Sequence, residues 1–588
     1  MKKWLIILAF LPFHLLSQFP NHNWNDCPKN DIAHDQDFMT WSGASVDEKI
    51  GRLNFNTNHD TISFIVYSEI ADTANLFGIN GDSVYFTSVT GLQKSKIYWV
   101  QFKVTDGLIS DTASAYIYIA DADSLIHWND KYDYFDEGYY YYFNRGLVYE
   151  LDNTIDIDND NVTFMAIGNG AYPRLLCNVS SGDDLSQFDI SSDNFHIRDI
   201  QYETNNNYRV SRLLQCYDYV DDFITDNCRF IGTDDYKLGF TWRYDRSVMG
   251  YNHKVMNCYV EYSQYENATY MNMSGIEWIA NVFTYQGCDW DTYYESPCVC
   301  EMIHSLETYP HYYYDIRYNY YNHSHYPYKY SVNLANADDI VSRDTIMNNW
   351  FIGPGVLNGD LNWTYSGMFI CSDSVYVAYN KIDSCEVGLG FQQLVSYHRY
   401  ATIENNIFNG CRRFGILVFD GVTQYLKLRH NTFTDPASDD EYYVIGGGLS
   451  STDTIANNIF DISDGQNVFQ TLDAVRMYNI YTDTTGTNYI KTATEIVGNP
   501  LFTDKAGGDL TLQSGSPAIN AGYNFGVVYD FAGNVRDATP DIGAYEYQTE
   551  TEPESTTVTY KGTINLNDAT INGQEISTIK YRGISYKE

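Results

Sequence analysis

The chain has 588 residues, 76 Asp plus Glu against 36 Lys plus Arg, and a formal charge of −40. So acidic a chain is repelled by phosphate backbones and anionic lipid, which excludes nucleic-acid binding through a basic face. Apolar residues at 44%, aromatics at 16% and 55 tyrosines exclude disorder and supply a large core.

Length alone suggests roughly four average domains, a count that repeat architectures escape because they grow by stacking along one axis. At the start, Lys2 and Lys3 precede an apolar run from Trp4 to Leu16, followed by Ser17 and Gln18. The run is about 13 residues, within the range of a secretory signal core and short of the roughly 20 that a membrane helix needs. Residues 1–18 are therefore expected to be a cleaved signal peptide, and the protein to be secreted or held at the cell surface. No later segment has the composition of a membrane span. There are eleven cysteines, and the close pair Cys298 and Cys300 lacks a second pair at zinc-ligand spacing. Buried or disulfide-bonded cysteines are expected.

From about residue 27 to 122, apolar and polar residues alternate at period two in RLNFN, ISFIVYS, SVYFTSV, IYWVQFKV and ASAYIYIA. Turn residues separate these runs, which predicts short antiparallel strands in a β-sandwich. Glu48, Leu76-Phe77-Gly78-Ile79-Asn80, Val104-Thr105-Asp106-Gly107 and Ile119-Ala120-Asp121 resemble a cadherin-like or related immunoglobulin-like module. The resemblance implies calcium between modules, but Asn56-Thr57-Asn58 stands where an Asp-x-Asp is usual. A spacer that needs no metal is the expectation.

From about residue 145 a different phrase recurs, an Asn or Cys two positions before a large apolar residue. It reads Cys228-Arg229-Phe230, Cys258-Tyr259-Val260, Asn281-Val282-Phe283, Asn349-Trp350-Phe351, Asn380-Lys381-Ile382, Asn406-Ile407-Phe408, Asn431-Thr432-Phe433 and Asn458-Ile459-Phe460. Apart from the long step between Asn281 and Asn349, each interval matches one coil of a solenoid of short strands. Upstream, Arg198-Asp199-Ile200 and Met165-Ala166-Ile167 fit the same stepping. In such a coil the large residue stacks on its counterpart about 4.8 Å away. The asparagine, at a tight bend, tolerates left-handed backbone and bonds to its neighbours as a ladder. No stretch carries the 3.6 period of helical repeats.

Near the end of the repeats stand Asn499-Pro500-Leu501-Phe502, Asp509-Leu510-Thr511-Leu512, Gly515-Ser516-Pro517-Ala518-Ile519-Asn520-Ala521-Gly522, Asp530-Phe531-Ala532-Gly533-Asn534-Val535-Arg536 and Pro540-Asp541-Ile542-Gly543-Ala544-Tyr545-Glu546. With the repeats, this segment resembles the right-handed parallel β-helix proteins of the pectate-lyase-like superfamily, many of whose exported bacterial members end in such a run. The resemblance implies an all-β fold over 145–547, with this segment capping the open end of the helix. A linker over 548–557 and a short β extension over 558–588 complete the organisation.

The long step holds a tyrosine-rich segment, and nearly every second residue from Tyr309 to Tyr330 is tyrosine. It either replaces one weakly marked coil or projects as a long loop. Tyrosine faces stack on sugar C–H surfaces, so Tyr309, Tyr312, Tyr313, Tyr314, Tyr318, Tyr320, Tyr321 and Tyr326 are the candidate carbohydrate contacts, and packing of the segment onto the solenoid explains them equally. His304, His311, His323 and His325 lack a metal-ligand arrangement and read as surface histidines.

For catalysis, the resemblance implies polysaccharide lyases, in which Lys or Arg removes a proton beside a uronate carboxylate and calcium stabilises the intermediate. Lys254, Arg243 and Arg246, with Asp234 and Asp235 as calcium ligands, are the candidate set, and exposed ion pairs explain them as well. Gly182-Asp183-Asp184 matches one fragment of a polygalacturonase motif, but Gly-His-Gly and Arg-x-Lys are absent. The run from Asp152 to Asp160 lacks the glycine and glutamate of an EF-hand loop and reads as two turns.

The sequence thus predicts an exported β-helix protein whose partner is an extracellular polysaccharide, with calcium the one cofactor considered. The alternatives are a lyase on an anionic glycan and a structural adhesin or phage-type spike. Spikes of this shape are typically trimers and secreted enzymes usually monomers, and the signal run favours the monomer.

Overall fold

The computed structural model describes residues 135–548, apart from stretches within the connections on either side of one sheet, together with separate strands and turns of the first 128 residues and strands between 570 and 587. Residues 1–18, Asn56 to Asn58 and the linker beyond Gln548 lie outside the described residues. The chain divides into two units, Met1–Tyr547 and Gln548–Glu588. In the second, Thr570–Ile571 pairs with Gln574–Glu575 and Thr578–Tyr581 with Ile584–Lys587, both antiparallel. Every regular element among the described residues is a strand. No helix among them is long and apolar enough to cross a membrane.

The alternating runs near the start form two sheets. Gln36–Trp41, Ser63–Tyr67, Ile97–Thr105 and Ser110–Ala120 make a four-stranded sheet. Lys49–Arg52, Phe77–Asn80 and Ser83–Phe86 make a three-stranded one. Phe77 and Tyr98, one from each sheet, meet edge to face with centroids 5.5 Å apart. The pairs are antiparallel as the alternation implies, except that Gln36–Trp41 runs parallel to Ala115–Ala120.

From Leu125 to Val497 the chain winds as a right-handed parallel β-helix with three sheets of 14, 14 and 13 strands. The first sheet includes Lys254–Met256, Glu277–Ile279 and Asp315–Arg317. The second includes Tyr259–Glu261, Val282–Thr284 and Tyr320–Asn322. The third includes Phe240–Tyr244, Ala268–Tyr270 and Glu301–Ser305. Aromatic residues of the second sheet stack through the core, as in Phe283–Tyr321–Phe351 and Phe408–Phe433–Phe460–Tyr481, with centroids 4.7 to 5.2 Å apart and planes within 10°.

Between the first and second sheets the chain turns in two residues, in eleven coils from 199–200 to 478–479. The sequence reading gave both duties of this bend to one asparagine, and the structure divides them. The first residue of each pair is left-handed, with φ between +51° and +63° from Asp199 to Tyr478. The second, which stays out of that region, is the ladder residue. Asn281, Asn319, Asn349, Asn380, Asn406, Asn431, Asn458 and Asn479 are all buried. Along this series each Oδ1 accepts the backbone N–H and the Nδ2–H of the preceding asparagine, at 2.8 to 3.1 Å. At the far end Glu495 takes over, accepting from Asn479 Nδ2 at 3.0 Å and from the Tyr481 hydroxyl at 2.8 Å. At the near end Cys228 and Cys258 hold the ladder position, each thiol donating to backbone carbonyls. These two, with Cys177, Cys216, Cys385 and Cys411, are buried.

Asn319 divides the long step between Asn281 and Asn349 into two coils, bonding to one asparagine on either side. The tyrosine-rich segment therefore supplies the first- and second-sheet strands of a coil, Asp315–Arg317 and Tyr320–Asn322. Upstream, the expected register is corrected by two residues: Leu175, Tyr202 and Phe230 are aligned, so Tyr202 is the counterpart of Phe230, and Ile200, also buried in the core, holds the ladder position. Met165 lies in the first sheet. The two sheets meeting at this corner both alternate apolar and polar residues, and without an asparagine nothing in the spacing tells one from the other.

The terminal segment is also corrected. It does not sit across the end of the helix; it folds back along the side, over the two-residue corner and the outer face of the second sheet. Phe502, Leu510, Leu512, Ala518, Phe531, Ile542 and Ala544 pack on Ile407, Ile459 and Ile480. Gly543, at φ +100°, lies so near Ile459 that a Cβ would approach its Cδ1 to 2.4 Å, which explains the glycine of the motif. Arg536 is buried and reaches Asn405 Oδ1 at 2.8 Å, Glu546 Oε2 at 3.1 Å and the carbonyls of Gly543 and Ala544. At the end of the second sheet, Ile496–Val497 pairs on Ile480–Tyr481.

Two outcomes follow from this packing. Asn431→Ala strands two donors of Asn406 and removes the bonds that Asn431 Nδ2 gives to Ile403, Arg429 and Asn458. It is expected to cost ~2–4 kcal/mol, read as a shift of the urea unfolding curve. His253 is fully buried against Phe223, and burial lowers its pKa to about 3. An unfolded histidine takes up a proton below about pH 6.5, so stability falls as pH drops from there toward 3, by about 1.4 kcal/mol per unit. His253→Gln should flatten that limb in unfolding curves recorded from pH 7 to 4.

Candidate functional site

The two-residue corner leaves no room for a projecting wall, whereas long connections lead to and from the third sheet, as at 285–300 and 353–365. A lateral site therefore belongs to the third sheet and the corners beside it. One register column crosses this sheet: Asp156, Asp189, Gln215, Arg243, Thr269, His304, Asn333, Phe369, Gly390, Leu417 and Gly446. It is polar through seven coils and apolar or small through the last four. Asp156 is exposed, and Gln215 is fully buried with neither amide atom hydrogen-bonded.

The corner from the third sheet into the first has a left-handed column of its own. Asn161, Asn194, Asp222, Asn252, Gly275, Tyr313, Arg343, Ser374, Tyr400 and Tyr425 all have φ between +56° and +68°. Its early coils are amide and acid. Asp160, Asp193 and Asp221 each accept a backbone N–H from the next coil at 2.8 to 2.9 Å. Burial pushes the Asp221 carboxyl up, and the neighbouring Asp193 and Asp222 add to the rise. Its later coils are aromatic. Tyr313, Tyr400 and Tyr425 are exposed, Tyr400 and Tyr425 stack at 5.1 Å within 5°, and Arg343 Nη1 donates to the Tyr313 hydroxyl at 3.3 Å.

The tyrosines singled out from sequence fall into three groups. Tyr314 and Tyr321 are in the solenoid core, closed to any ligand, and Tyr320 is buried on the second sheet against Trp350. Their candidacy is corrected by the coil that Asn319 builds. Tyr312 and Tyr313 are exposed at the tyrosine corner, and Tyr318 is half-buried at the two-residue corner. Tyr309 and Tyr326 lie outside the described residues. Tyr251, Tyr400 and Tyr425, exposed on the same corner as Tyr312 and Tyr313, lie outside the tyrosine-rich string. Only their place before a first-sheet strand could have marked them.

Of the basic trio, Arg243 and Lys254 stand on different sheets. Arg243 stands on the third sheet at the register position of Gln215 and Thr269. Lys254 is on the first sheet, its Nζ 2.7 Å from Glu277 Oε1. The pair belongs to a stitched row, Lys254, Glu277 and Asp315 in consecutive coils, with Arg317 ion-paired to Asp315. Burial pushes the Asp315 carboxyl up, against the opposing pull of Arg317. Further along, Glu404 accepts from Arg429 and from the Tyr376 hydroxyl at 2.5 and 2.7 Å. Arg246, Asp234 and Asp235 lie outside the described residues, as do Gly182 to Asp184, His311, His323 and His325. Among the described residues no group of three or more His, Cys, Asp or Glu could hold a metal ion. Asp158 and Asp160 accept from Ser191 Oγ and the Asp193 N–H, each in the turn expected of that run.

No protein-family profile matches the chain, and no curated protein matches it. Among solved structures it is similar to the catalytic domain of a GH87 α-1,3-glucanase in complex with nigerose, at 10% identity over 77% of this chain and 88% of that one, TM-score 0.33. It is similar to the tailspike protein of E. coli bacteriophage HK620 in complex with a pentasaccharide, at 12% identity over 64% and 71%, TM-score 0.34. A third is the DFA-IIIase of Arthrobacter chlorophenolicus A6 in complex with GF2, at 12% identity over 62% and 92%, TM-score 0.29. At these values the functional reading rests on the residues of this chain.

Lys254 and Glu277 keep 33% and 37% of their side chains exposed. Lys254→Met should therefore change stability by less than ~1 kcal/mol, measured by urea unfolding, because exposed pairs are weakened by solvent and salt.

Proposed function

We propose that the protein is an exported binder of extracellular polysaccharide, with the tyrosine corner as its contact surface. The observation that carries this reading is the placement of exposed tyrosine. Seven tyrosines are exposed among the described residues, and five of them, Tyr251, Tyr312, Tyr313, Tyr400 and Tyr425, stand on this one corner. A tyrosine offers a flat apolar face and a hydroxyl, the pair of features that a pyranose ring meets with its C–H surface and its oxygens. Left-handed backbone makes the placement costly, since an aromatic residue there carries strain of order 1–3 kcal/mol that asparagine largely avoids. Three tyrosines occupy positions at which earlier coils of the same column use asparagine, and they do so where burial returns little of that cost. Binding is favoured over lyase chemistry because Arg243 and Lys254 belong to different sheets and the Lys254 ammonium is held by Glu277.

Tyr313→Asn, Tyr400→Asn and Tyr425→Asn keep a residue suited to the left-handed backbone. On a glycan array the wild type should bind at least one polysaccharide class. The triple variant should bind it about tenfold or more weakly, a loss of about 1.4 kcal/mol or more, with its unfolding curve retained. Absence of any glycan binding by the wild type, or equal binding by the variant, would remove the proposal.

A further inference from the structure

The tyrosine column has one gap. In consecutive coils its residues are Tyr313, Arg343, Ser374, Tyr400 and Tyr425, all left-handed. On one side of Ser374, the Tyr400 and Tyr425 rings lie parallel at 5.1 Å. On the other, the Arg343 guanidinium lies 6.0 Å from the Tyr313 ring centroid. Ser374 carries a side chain too short to continue either stack.

Magnitudes decide what the gap holds. Adjacent coils are about 4.8 Å apart, so Arg343 and Tyr400, two coils apart, stand roughly 9.6 Å from each other along the solenoid axis. A flat ring touching both sides needs about 3.5–4 Å on each, roughly 7–8 Å in all. One ring fits and two do not. Tyr400 and Tyr425 stack along the solenoid axis, so their faces point along it and Tyr425 covers one face of Tyr400. A glycan chain laid along the corner meets hydroxyls and ring edges, and ring faces only where the column is broken. The Tyr400 face toward Ser374 is reached by a single residue entering from the side.

Charge selects among sugars. Arg343 is exposed and gives one of its five N–H donors to Tyr313. Lys427 is exposed beside Tyr425. Among the described residues between Ser342 and Arg429 no carboxylate is exposed, although the whole chain carries −40; the side chains of Asp360, Asp373 and Asp420 lie outside the described residues. A guanidinium fork matches a carboxylate in plane, two donors to two oxygens.

We infer that the notch at Ser374 holds a single carboxylate-bearing pyranose, a chain end or side branch of the glycan, stacked on Tyr400 with its carboxylate on Arg343. This rests on the glycan-binding reading and names the sugar class and its mode of entry.

The test uses the full chain and three probes, the methyl glycosides of glucuronic acid, galacturonic acid and glucose, titrated by ligand-observed NMR. At least one uronide should bind tenfold or more tightly than the glucoside, and less tightly as salt is raised. Ser374→Tyr extends a column whose next two residues are already tyrosine, fills the notch and should abolish uronide binding. Arg343→Gln, an exposed change, should erase the preference for uronide over glucoside. Uronide binding by Ser374→Tyr equal to wild type, or a preference unchanged in Arg343→Gln, would overturn the notch. If those results accompany polysaccharide binding that still depends on Tyr400 and Tyr425, the corner stands without it. If the wild type binds no glycan at all, both readings fall.

Discussion

The two-residue corner between the first and second sheets is the constraint on which the rest of the structure depends. Each coil must present one left-handed residue and then one buried side chain that bonds both to the coil above and to the coil below. Asparagine meets the second demand because its amide donates and accepts at once, so its Oδ1 can take two bonds from one neighbour while its Nδ2 reaches the next. A slip of one residue would turn the core face of a strand to solvent. The ladder, by leaving a buried polar group unpaired in any other register, fixes the coil-to-coil alignment that stacks Phe283, Tyr321 and Phe351. Glu495 ends the series because a carboxylate accepts from Asn479 and Tyr481 without needing a further coil.

A corner held this tightly cannot carry variation, and the chain places its variation elsewhere. Long connections flank the third sheet. The terminal segment uses the closed corner as a docking rail, its buried Arg536 satisfied by Asn405, Glu546 and two carbonyls. Among the described residues, the opposite corner, also left-handed, has no such cover at its later coils. There tyrosines replace the asparagines of earlier coils. The acidic surplus of the chain is likewise uneven, with Asp160, Asp193, Asp221 and Asp222 at the early end of this corner and Arg343 and Lys427 at the late end. A net charge that argues against a polyanionic partner for the whole chain is thus compatible with one acidic sugar at one place.

Much of the fold was legible because the asparagines are obligatory. From Asn281 to Asn458 the spacing gave the coils and their core residues, and one member, Asn319, was hidden by the tyrosines around it. Where cysteine or an apolar residue holds the ladder position, the two sheets alternate alike, and the reading slipped by two residues at Ile200. The terminal motif was legible as a string but not as a position, since Gly543 is explained only by the nearness of Ile459. The site was legible in residue type and not in place. Tyrosine was the right chemistry to look for, but density along the chain marked Tyr314 and Tyr321, which the core consumes. Tyr400 and Tyr425, a whole coil apart along the chain, become neighbours only through the winding. Arg243 and Lys254, close in sequence, stand on different sheets, one turn of the chain apart.

The central claim is that the ladder corner is structural and the tyrosine corner is where the molecule meets glycan. Amide hydrogen exchange, with and without a polysaccharide that the protein binds, tests both halves at once. The account predicts slow exchange at Asn349, Asn380, Asn406 and Asn431 in both states, and added protection on binding confined to segments around Tyr251, Tyr313, Arg343, Ser374, Tyr400 and Tyr425. Protection by glycan over the second sheet or the terminal segment, with none at the tyrosine corner, would contradict it.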